Sequence, residues 1–151
     1  MTQIAIYLLK GLGELKFGET MKRAIDVFGE ADETEELFDE LLNEKSTVCH
    51  YWDNGFSLFF KDNADKTFTC AEVDFKGTTL FGKTIFTMTE KQIVDLFKEN
   101  GFSLSETEQH AWGERRVSFD DAFADLYFEN GKLASINFCM AEGPTVNLSL
   151  N

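Results

Sequence analysis

The two histidines of this chain are the first residues to consider for catalysis or metal binding. Cys49 and His50 are adjacent, and a thiol beside an imidazole is the pairing on which cysteine nucleophiles depend. Neighbouring residues of a strand point to opposite faces, so this pair predicts a buried cysteine beside an exposed histidine and not a catalytic dyad. His110 has no second histidine at a spacing that suits a metal ion, which favours a loop position.

Acidic residues form two further groups that could bind a cation. Residues 62–65 lack the alternating acids and the distal glutamate of a calcium loop, which favours a solvated hairpin loop. Asp120 and Asp121, with Asp125 nearby, could hold a cation, but turn chemistry explains the first two more simply. The sequence has no GxSxG elbow, Walker loop, HExxH motif or dinucleotide fingerprint. We therefore expect a protein that is not an enzyme, with no catalytic residue, no metal and no cofactor.

The charge of the chain narrows the class of partner. Its 151 residues include 14 Lys and Arg against 27 Asp and Glu, a formal net charge of −13. An anionic surface repels phosphate backbones, which disfavours nucleic acid and favours a basic protein partner. A hydrophobic fraction of 43% argues against disorder, and no uninterrupted apolar run is long enough to cross a bilayer.

The start of the chain and its cysteines predict a cytoplasmic location. The first ten residues lack a basic leader and a small-residue cleavage site, so they predict a strand and not a signal peptide. The three cysteines are odd in number and have no CxxC spacing, which predicts buried apolar thiols and not a disulfide or a metal set.

The elements that would position these residues follow two similar patterns, 69 residues apart. Segments 17–28 and 86–97 both predict helices, with Thr20 and Thr89 at the N-cap positions. We interpret this agreement as a duplication. Residues 32–44 predict a short second helix in the first half, whereas residues 103–110 predict only a turn.

A three-strand meander is expected after each helix. Asn130-Gly131 between alternating apolar residues is a strong signal for a tight hairpin in the second half. Residues 76–83 are expected to connect the halves, and 146–150 predict a last strand after Pro144. The strands expected in the two meanders are 48–52, 56–60 and 70–75, then 115–119, 124–128 and 133–138.

The expected fold class is therefore α+β. It consists of two tandem helix-plus-antiparallel-meander repeats, 1–78 and 79–151, with the helices packed on one face of an antiparallel sheet in one compact unit.

Strand alternation assigns the faces of this sheet. The face turned toward the helices should carry Leu58, Phe60, Val73, Phe75, Leu126, Phe128, Ile136 and Phe138. The opposite face should be polar and acidic with scattered aromatic residues, which are common anchors of protein interfaces. Two possibilities remain open: this face binds a partner, or the C-terminal segment or a loop covers it. The candidate partner-binding residues on it are His50, Trp52, Phe59, Arg116 and Tyr127.

Two short motifs resemble a known class of tandem domains. Phe17-Gly18-Glu19-Thr20 opens the first helix, which closes at Phe28-Gly29-Glu30 and is followed by an aromatic hairpin. This pattern resembles the β-lactamase-inhibitor-protein-like class and the outer-membrane lipoprotein domains of the SmpA/OmlA type. The resemblance implies helices on one face of an antiparallel sheet, whose other face is free to bind a protein.

These observations lead to one functional hypothesis and one alternative. We expect a non-catalytic protein-binding module, in its most concrete form an immunity- or inhibitor-type protein, that binds its partner through the open face of its sheet. The alternative is a small-molecule carrier or sensor with an aromatic pocket between the helices and the sheet.

Overall fold

Strands dominate this fold. In the computed structural model, which describes residues 3–141, 47% of the residues lie in strands and 17% in helices. In chain order the elements are β1 (Ile4–Tyr7), β2 (Gly11–Leu12), β3 (Leu15–Lys16), α1 (Met21–Phe28), β4 (Glu33–Asp39), β5 (Glu44–Tyr51), β6 (Phe56–Lys61), β7 (Thr67–Val73), β8 (Thr78–Leu80), β9 (Lys83–Thr84), α2 (Glu90–Glu99), β10 (Glu106–Gln109), β11 (Glu114–Phe119), β12 (Ala124–Glu129) and β13 (Lys132–Cys139). Short 3-10 helices at Ile85–Thr87 and Asp120–Ala122 complete the described part.

The expected α+β class of two helix-plus-meander repeats is wrong. The described residues form two sheets and only two α-helices, so the architecture is mostly β. The large sheet is antiparallel and has the strand order β10-β11-β12-β13-β7-β6-β5-β4. The small sheet has the order β3-β2-β1-β8-β9, with β1 and β8 parallel.

The segment between α1 and β5 accounts for part of this error. Residues predicted as a second helix form β4 and a turn, and β4 pairs with β5 from Glu33 opposite His50 to Asp39 opposite Glu44. The Asp39 carboxylate accepts hydrogen bonds from the backbone N–H groups of Leu41 and Leu42, at 2.9 and 3.2 Å. This Asx-type turn offers the backbone an alternative to a helix.

Two further segments differ from expectation. Residues 76–83, expected as a plain connection, contain β8, which pairs with β1 in the small sheet. Residues 106–109, expected as part of a turn, form β10, the edge strand next to β11. Strands of two to four residues are too short for alternation to reveal them. The strand expected after Pro144 lies outside the described residues.

Both helices begin where the sequence predicts. The Thr20 hydroxyl accepts a hydrogen bond from the N–H of Arg23 at 3.1 Å, and Thr89 forms a reciprocal capping box with Gln92. Each cap satisfies a backbone donor that would otherwise lack a partner in the first turn. Neither helix is long and apolar enough to cross a membrane, within the part of the chain that is described.

The core lies between the large sheet on one side and the helices with the small sheet on the other. Phe97 of α2 stacks on Phe119 of β11 with ring centroids 3.9 Å apart, and Phe28 of α1 contacts Phe56 of β6 at 4.9 Å. Seven of the eight residues expected to face the core are fully or nearly fully buried, and Phe75 is partly buried.

Candidate functional site: the open face of the large sheet

The face of the large sheet that points away from the core, called the open face here, is crossed by one continuous row of polar residues. Each member is the cross-strand partner of the next, and direct partners point to the same side of a sheet. This polar row consists, from β4 to β10, of Glu33, His50, Ser57, Glu72, Asn137, Asp125, Ser118 and Glu106. The row carries four carboxylates, which makes the middle of the open face acidic.

All five candidate residues lie on this face, but in two clusters. His50, Trp52 and Phe59 lie near the β4 edge, whereas Arg116 and Tyr127 are partners on β11 and β12. Five strand spacings separate β5 from β11, so at about 4.8 Å per strand the clusters are roughly 24 Å apart. This span exceeds a small ligand but fits within an ordinary protein interface.

His50 is at the centre of the first cluster. Its Nε2 atom lies 2.6 Å from Glu35 Oε1, and its Nδ1 atom lies 2.7 Å from Ser57 Oγ. The ring also stacks on Trp52, with centroids 4.3 Å apart and planes 8° from parallel. Trp52 is 58% exposed, so the contacts of His50 hold a large aromatic ring at the surface.

The Glu35–His50–Ser57 chain has the connectivity of a serine-hydrolase triad, but its surroundings do not suit that chemistry. Acyl transfer needs N–H donors directed at the oxyanion that develops beside the serine. Ser57 lies within β6, where its cross-strand partner on the same face is Glu72. A carboxylate at that position would oppose an oxyanion. The chain of hydrogen bonds is therefore better explained as cross-strand pairing that fixes the imidazole.

Arg116 is at the centre of the second cluster. Its guanidinium donates to Glu108 at 2.9 Å and to Glu106 at 3.2 Å, and it also contacts the Ser118 hydroxyl. The hydrogen bond with Glu108 raises the pKa of Arg116, and the same contact lowers the pKa of Glu108. Because Glu106 and Glu108 neutralise the charge of Arg116, the net charge of the open face stays negative.

The centre of the sheet has an acceptor without a donor. The Asn137 side-chain oxygen is buried, and no hydrogen-bond partner for it exists among the described residues. Its neighbours in the polar row are Glu72 and Asp125, whose carboxylates are also acceptors. Beside them, burial raises the pKa of the Tyr127 phenol, which keeps this group neutral and able to donate.

An apolar groove, which sequence reasoning missed, lies beside the first cluster. Leu37, Leu41 and Phe59 line it together with Phe38, Asp39, Glu40 and Ser46, and its volume is about 860 Å³. Leu41 is 97% exposed and Leu37 42%. Leu37, Phe38 and Leu41 belong to the segment that was predicted as a short helix, so the sequence did not place them beside Phe59. An exposed apolar patch with an acidic rim is typical of a protein interaction site.

The open face also carries a disulfide, which corrects the prediction for two of the three cysteines. Cys70 on β7 and Cys139 on β13 are direct cross-strand partners and are bonded to each other. The two cysteines are 69 residues apart in sequence, but their strands are adjacent in the sheet, which no spacing motif reveals. Cys49 is the free cysteine; it is buried, and burial raises the pKa of its thiol.

The remaining sequence candidates do not form a site. Cys49 points into the core while His50 points to the open face. Asp62 pairs with Lys66 at 2.7 Å, and Asp121 accepts from the N–H of Ser103 at 3.0 Å. His110 stacks on Trp112 at the far edge of the sheet. Among residues 3–141, no group of three or more His, Cys, Asp or Glu is arranged to hold a metal ion.

Comparisons with known proteins add little to this geometry. No family model and no curated protein match the chain. Among solved structures, it is similar to the crystal structure of a DUF4309 family protein (YjgB) from Bacillus subtilis subsp. subtilis str. 168, with 16% identity and a TM-score of 0.44. The match covers 82% of this chain and 80% of that chain. A similarity at this level carries no argument about function, and the resemblance to inhibitor-type and SmpA/OmlA-type domains stays a prediction.

Proposed function

We propose that this protein is a non-catalytic binding module that receives a basic protein on the open face of its large sheet. The observation that carries the proposal is the apolar groove beside the polar row, because it combines apolar anchor sites with an acidic surround. Such a combination favours a partner that inserts apolar side chains and surrounds them with Lys or Arg.

The hydrogen-bonding capacity of the face supports the same class of partner. Glu72 and Asp125 offer carboxylate acceptors on either side of the buried Asn137 oxygen. Ammonium and guanidinium groups are donors only, so they complement a row of acceptors.

An inhibitor-type protein is the most specific form of this proposal. The face offers two clusters about 24 Å apart, which is wide enough to cover a cleft of an enzyme. The alternative, a small-molecule carrier or sensor with an aromatic pocket between the helices and the sheet, stays a prediction. Between α2 and β11, Phe97 and Phe119 stack with ring centroids 3.9 Å apart.

The disulfide also bears on the compartment in which the protein works. Disulfides persist in oxidising compartments and are rare in the cytoplasm, so the Cys70–Cys139 bond opposes the expected cytoplasmic location. We infer that the protein works where this disulfide stays oxidised. Trapping thiols in intact cells with a maleimide of known mass would test this, because an oxidised chain gains one label after denaturation and a reduced chain gains three.

A photo-crosslinking experiment tests the binding face. A benzoylphenylalanine at Phe59 should capture one partner at defined stoichiometry, whereas the same group at Lys22, exposed on α1, should not. With that partner purified, Phe59→Ala and Trp52→Ala should each weaken binding more than about tenfold, as expected for aromatic anchors. Lys22→Ala is the matched control. Equal crosslinking at both positions, or unchanged affinity in both alanine variants, would overturn the proposal.

A further inference from the structure

A second cavity lies away from the open face. It has a volume of about 380 Å³, and its lining comes from the small sheet, the turns at its end and the segment after α2. The lining residues are Ala5, Ile6, Tyr7, Leu8, Lys10, Thr79, Phe81, Gly82 and Phe102. This volume is within the range of small-molecule sites and, at about 30 Å³ per water-sized unit, accommodates roughly a dozen non-hydrogen atoms.

One wall of this cavity is aromatic. The Phe81 ring contacts Phe102 at 6.1 Å between centroids and Phe97 edge-on at 5.5 Å. Ile6 and Leu8, also at the lining, are nearly fully buried in the core. The wall is therefore anchored in the core and presents a preformed apolar surface to a ligand.

The backbone holds two bulky residues in an unfavourable conformation beside the cavity. Phe81 has φ +54° in the two-residue turn between Leu80 and Lys83, and Leu9 has φ +68° in the turn between β1 and β2. Glycine or asparagine normally occupies such positions, because a bulky side chain there is strained. At Phe81 the strain coincides with placement of the ring against Phe102. Strain of this kind collects at binding sites.

The polar side chains of the lining are few, and all of them can donate a hydrogen bond. Lys10 supplies an ammonium, and it makes no ion pair with any residue of the described range 3–141. Tyr7 and Thr79 supply hydroxyls, and the lining contains no carboxylate. In a chain of net charge −13, a site with one cation and no anion is locally unusual.

We propose that this cavity binds a small amphipathic carboxylate, with its apolar body against Phe81 and Phe102 and its carboxylate on Lys10. An apolar pocket with a few polar groups that fix orientation is the usual form of a small-molecule site. The carboxylate accepts from the Lys10 ammonium, and the hydroxyls of Tyr7 and Thr79 are the other available donors. This site is independent of the protein-binding face, because none of its lining residues belongs to the large sheet.

Decanoate, with about a dozen non-hydrogen atoms, is the probe for the test. Titration into the ¹⁵N-labelled protein should shift the amide signals of Ile6, Thr79 and Gly82, whereas decyltrimethylammonium should not bind. Lys10→Gln should weaken decanoate about tenfold, as expected for loss of one ion pair, and leave decanol unchanged. Lys83→Gln, on the β8–β9 hairpin that carries Phe81 but outside the lining, is the matched control.

Phe81→Asn separates binding from folding. Asparagine suits the left-handed turn position, but its side chain lacks the contacts that the Phe81 ring makes with Phe97 and Phe102. This variant should therefore still fold, with lower stability, while losing affinity for decanoate and decanol alike. Three results would overturn the proposal: no amide shifts up to the onset of decanoate micelles, equal binding of the cationic probe, or unchanged decanoate affinity in Lys10→Gln.

Discussion

The Cys70–Cys139 disulfide should contribute strongly to the stability of this protein. It joins strands β7 and β13 at the middle of the large sheet and spans 69 residues of sequence. Replacing both cysteines by serine removes the link and leaves the cross-strand backbone pairing possible. Both side chains are partly exposed on the open face, so serine at these positions leaves no fully buried polar group.

The size of the effect follows from the loop that the bond closes. In the chain-entropy relation, a loop of about 70 residues removes about 15 cal/mol/K of entropy from the unfolded chain, or about 4 kcal/mol at 25 °C. Measured values for disulfides are commonly about 2–4 kcal/mol. We therefore expect Cys70→Ser/Cys139→Ser to lower the free energy of unfolding by about 2–4 kcal/mol.

Urea denaturation with and without reductant measures this quantity. With a slope of about 2 kcal/mol/M, the loss should move the midpoint down by about 1–2 M. Reductant should shift the wild type by the same amount and the double variant not at all. Cys49→Ala keeps the disulfide, so it should still respond to reductant.

Two results would refute this reasoning. A wild-type midpoint that is the same with and without reductant would show that no stabilising bond is present. Three reactive thiols in the denatured, unreduced protein would show that the cysteines are not paired, because the structure predicts only one, that of Cys49.

Three further predictions concern stability. Burial raises the pKa of Tyr51 to about 12, so the neutral phenol stabilises the fold below pH 10. This contribution to the free energy of unfolding should disappear as the pH rises toward 12. Tyr51→Phe should abolish that pH dependence, which urea titrations at several pH values would measure. Gly11→Ala should lower the free energy of unfolding by more than about 1 kcal/mol, because its Cβ would lie 2.1 Å from the Leu15 carbonyl oxygen. In the same denaturation assay, Gly101→Ala should lower it by less, because its Cβ would meet no atom within 4 Å. Thr89→Ala removes the N-cap of α2 and should lower the melting temperature by an amount equivalent to about 1 kcal/mol, measured by calorimetry.

The parts of the fold that the sequence predicted are those with strong local signals. Thr20 and Thr89 predicted the starts of both helices, because a capping hydroxyl is a local feature. Alternation assigned the two faces of β6, β7, β12 and β13, because each strand has a buried face and a solvent face. The five candidate residues were therefore placed on one face by local periodicity alone.

The hairpin of β4 and β5 shows why the rest failed. Leu37, Phe38, Leu41 and Leu42 have a spacing that suits a helix face, but in the structure two of them lie on opposite sides of a strand and two in its turn. The signal that was missed was Asp39, whose carboxylate makes the turn. The apolar groove was lost with this error, because only the hairpin brings Leu37 beside Phe59.

The disulfide and the small sheet required information that no local pattern contains. The pairing of β7 with β13 joins the two halves of the large sheet at its middle, and no local pattern in either strand indicates it. In the small sheet, β2, β3 and β9 have two residues each, so their pairing depends on tertiary packing.

The distribution of acidic residues connects the shape of the large sheet to the class of partner proposed for it. Strands β4 and β10 are its two edges, and all their side chains are exposed. An exposed edge invites pairing with another strand, and the chain places Glu33, Glu35, Glu36 and Asp39 on one edge and Glu106 and Glu108 on the other. A second copy of this chain would bring like charges together at either edge, which opposes self-association. The same charges attract a basic chain. Part of the net charge of −13 therefore disfavours pairing with a second copy of this chain and favours a basic protein partner.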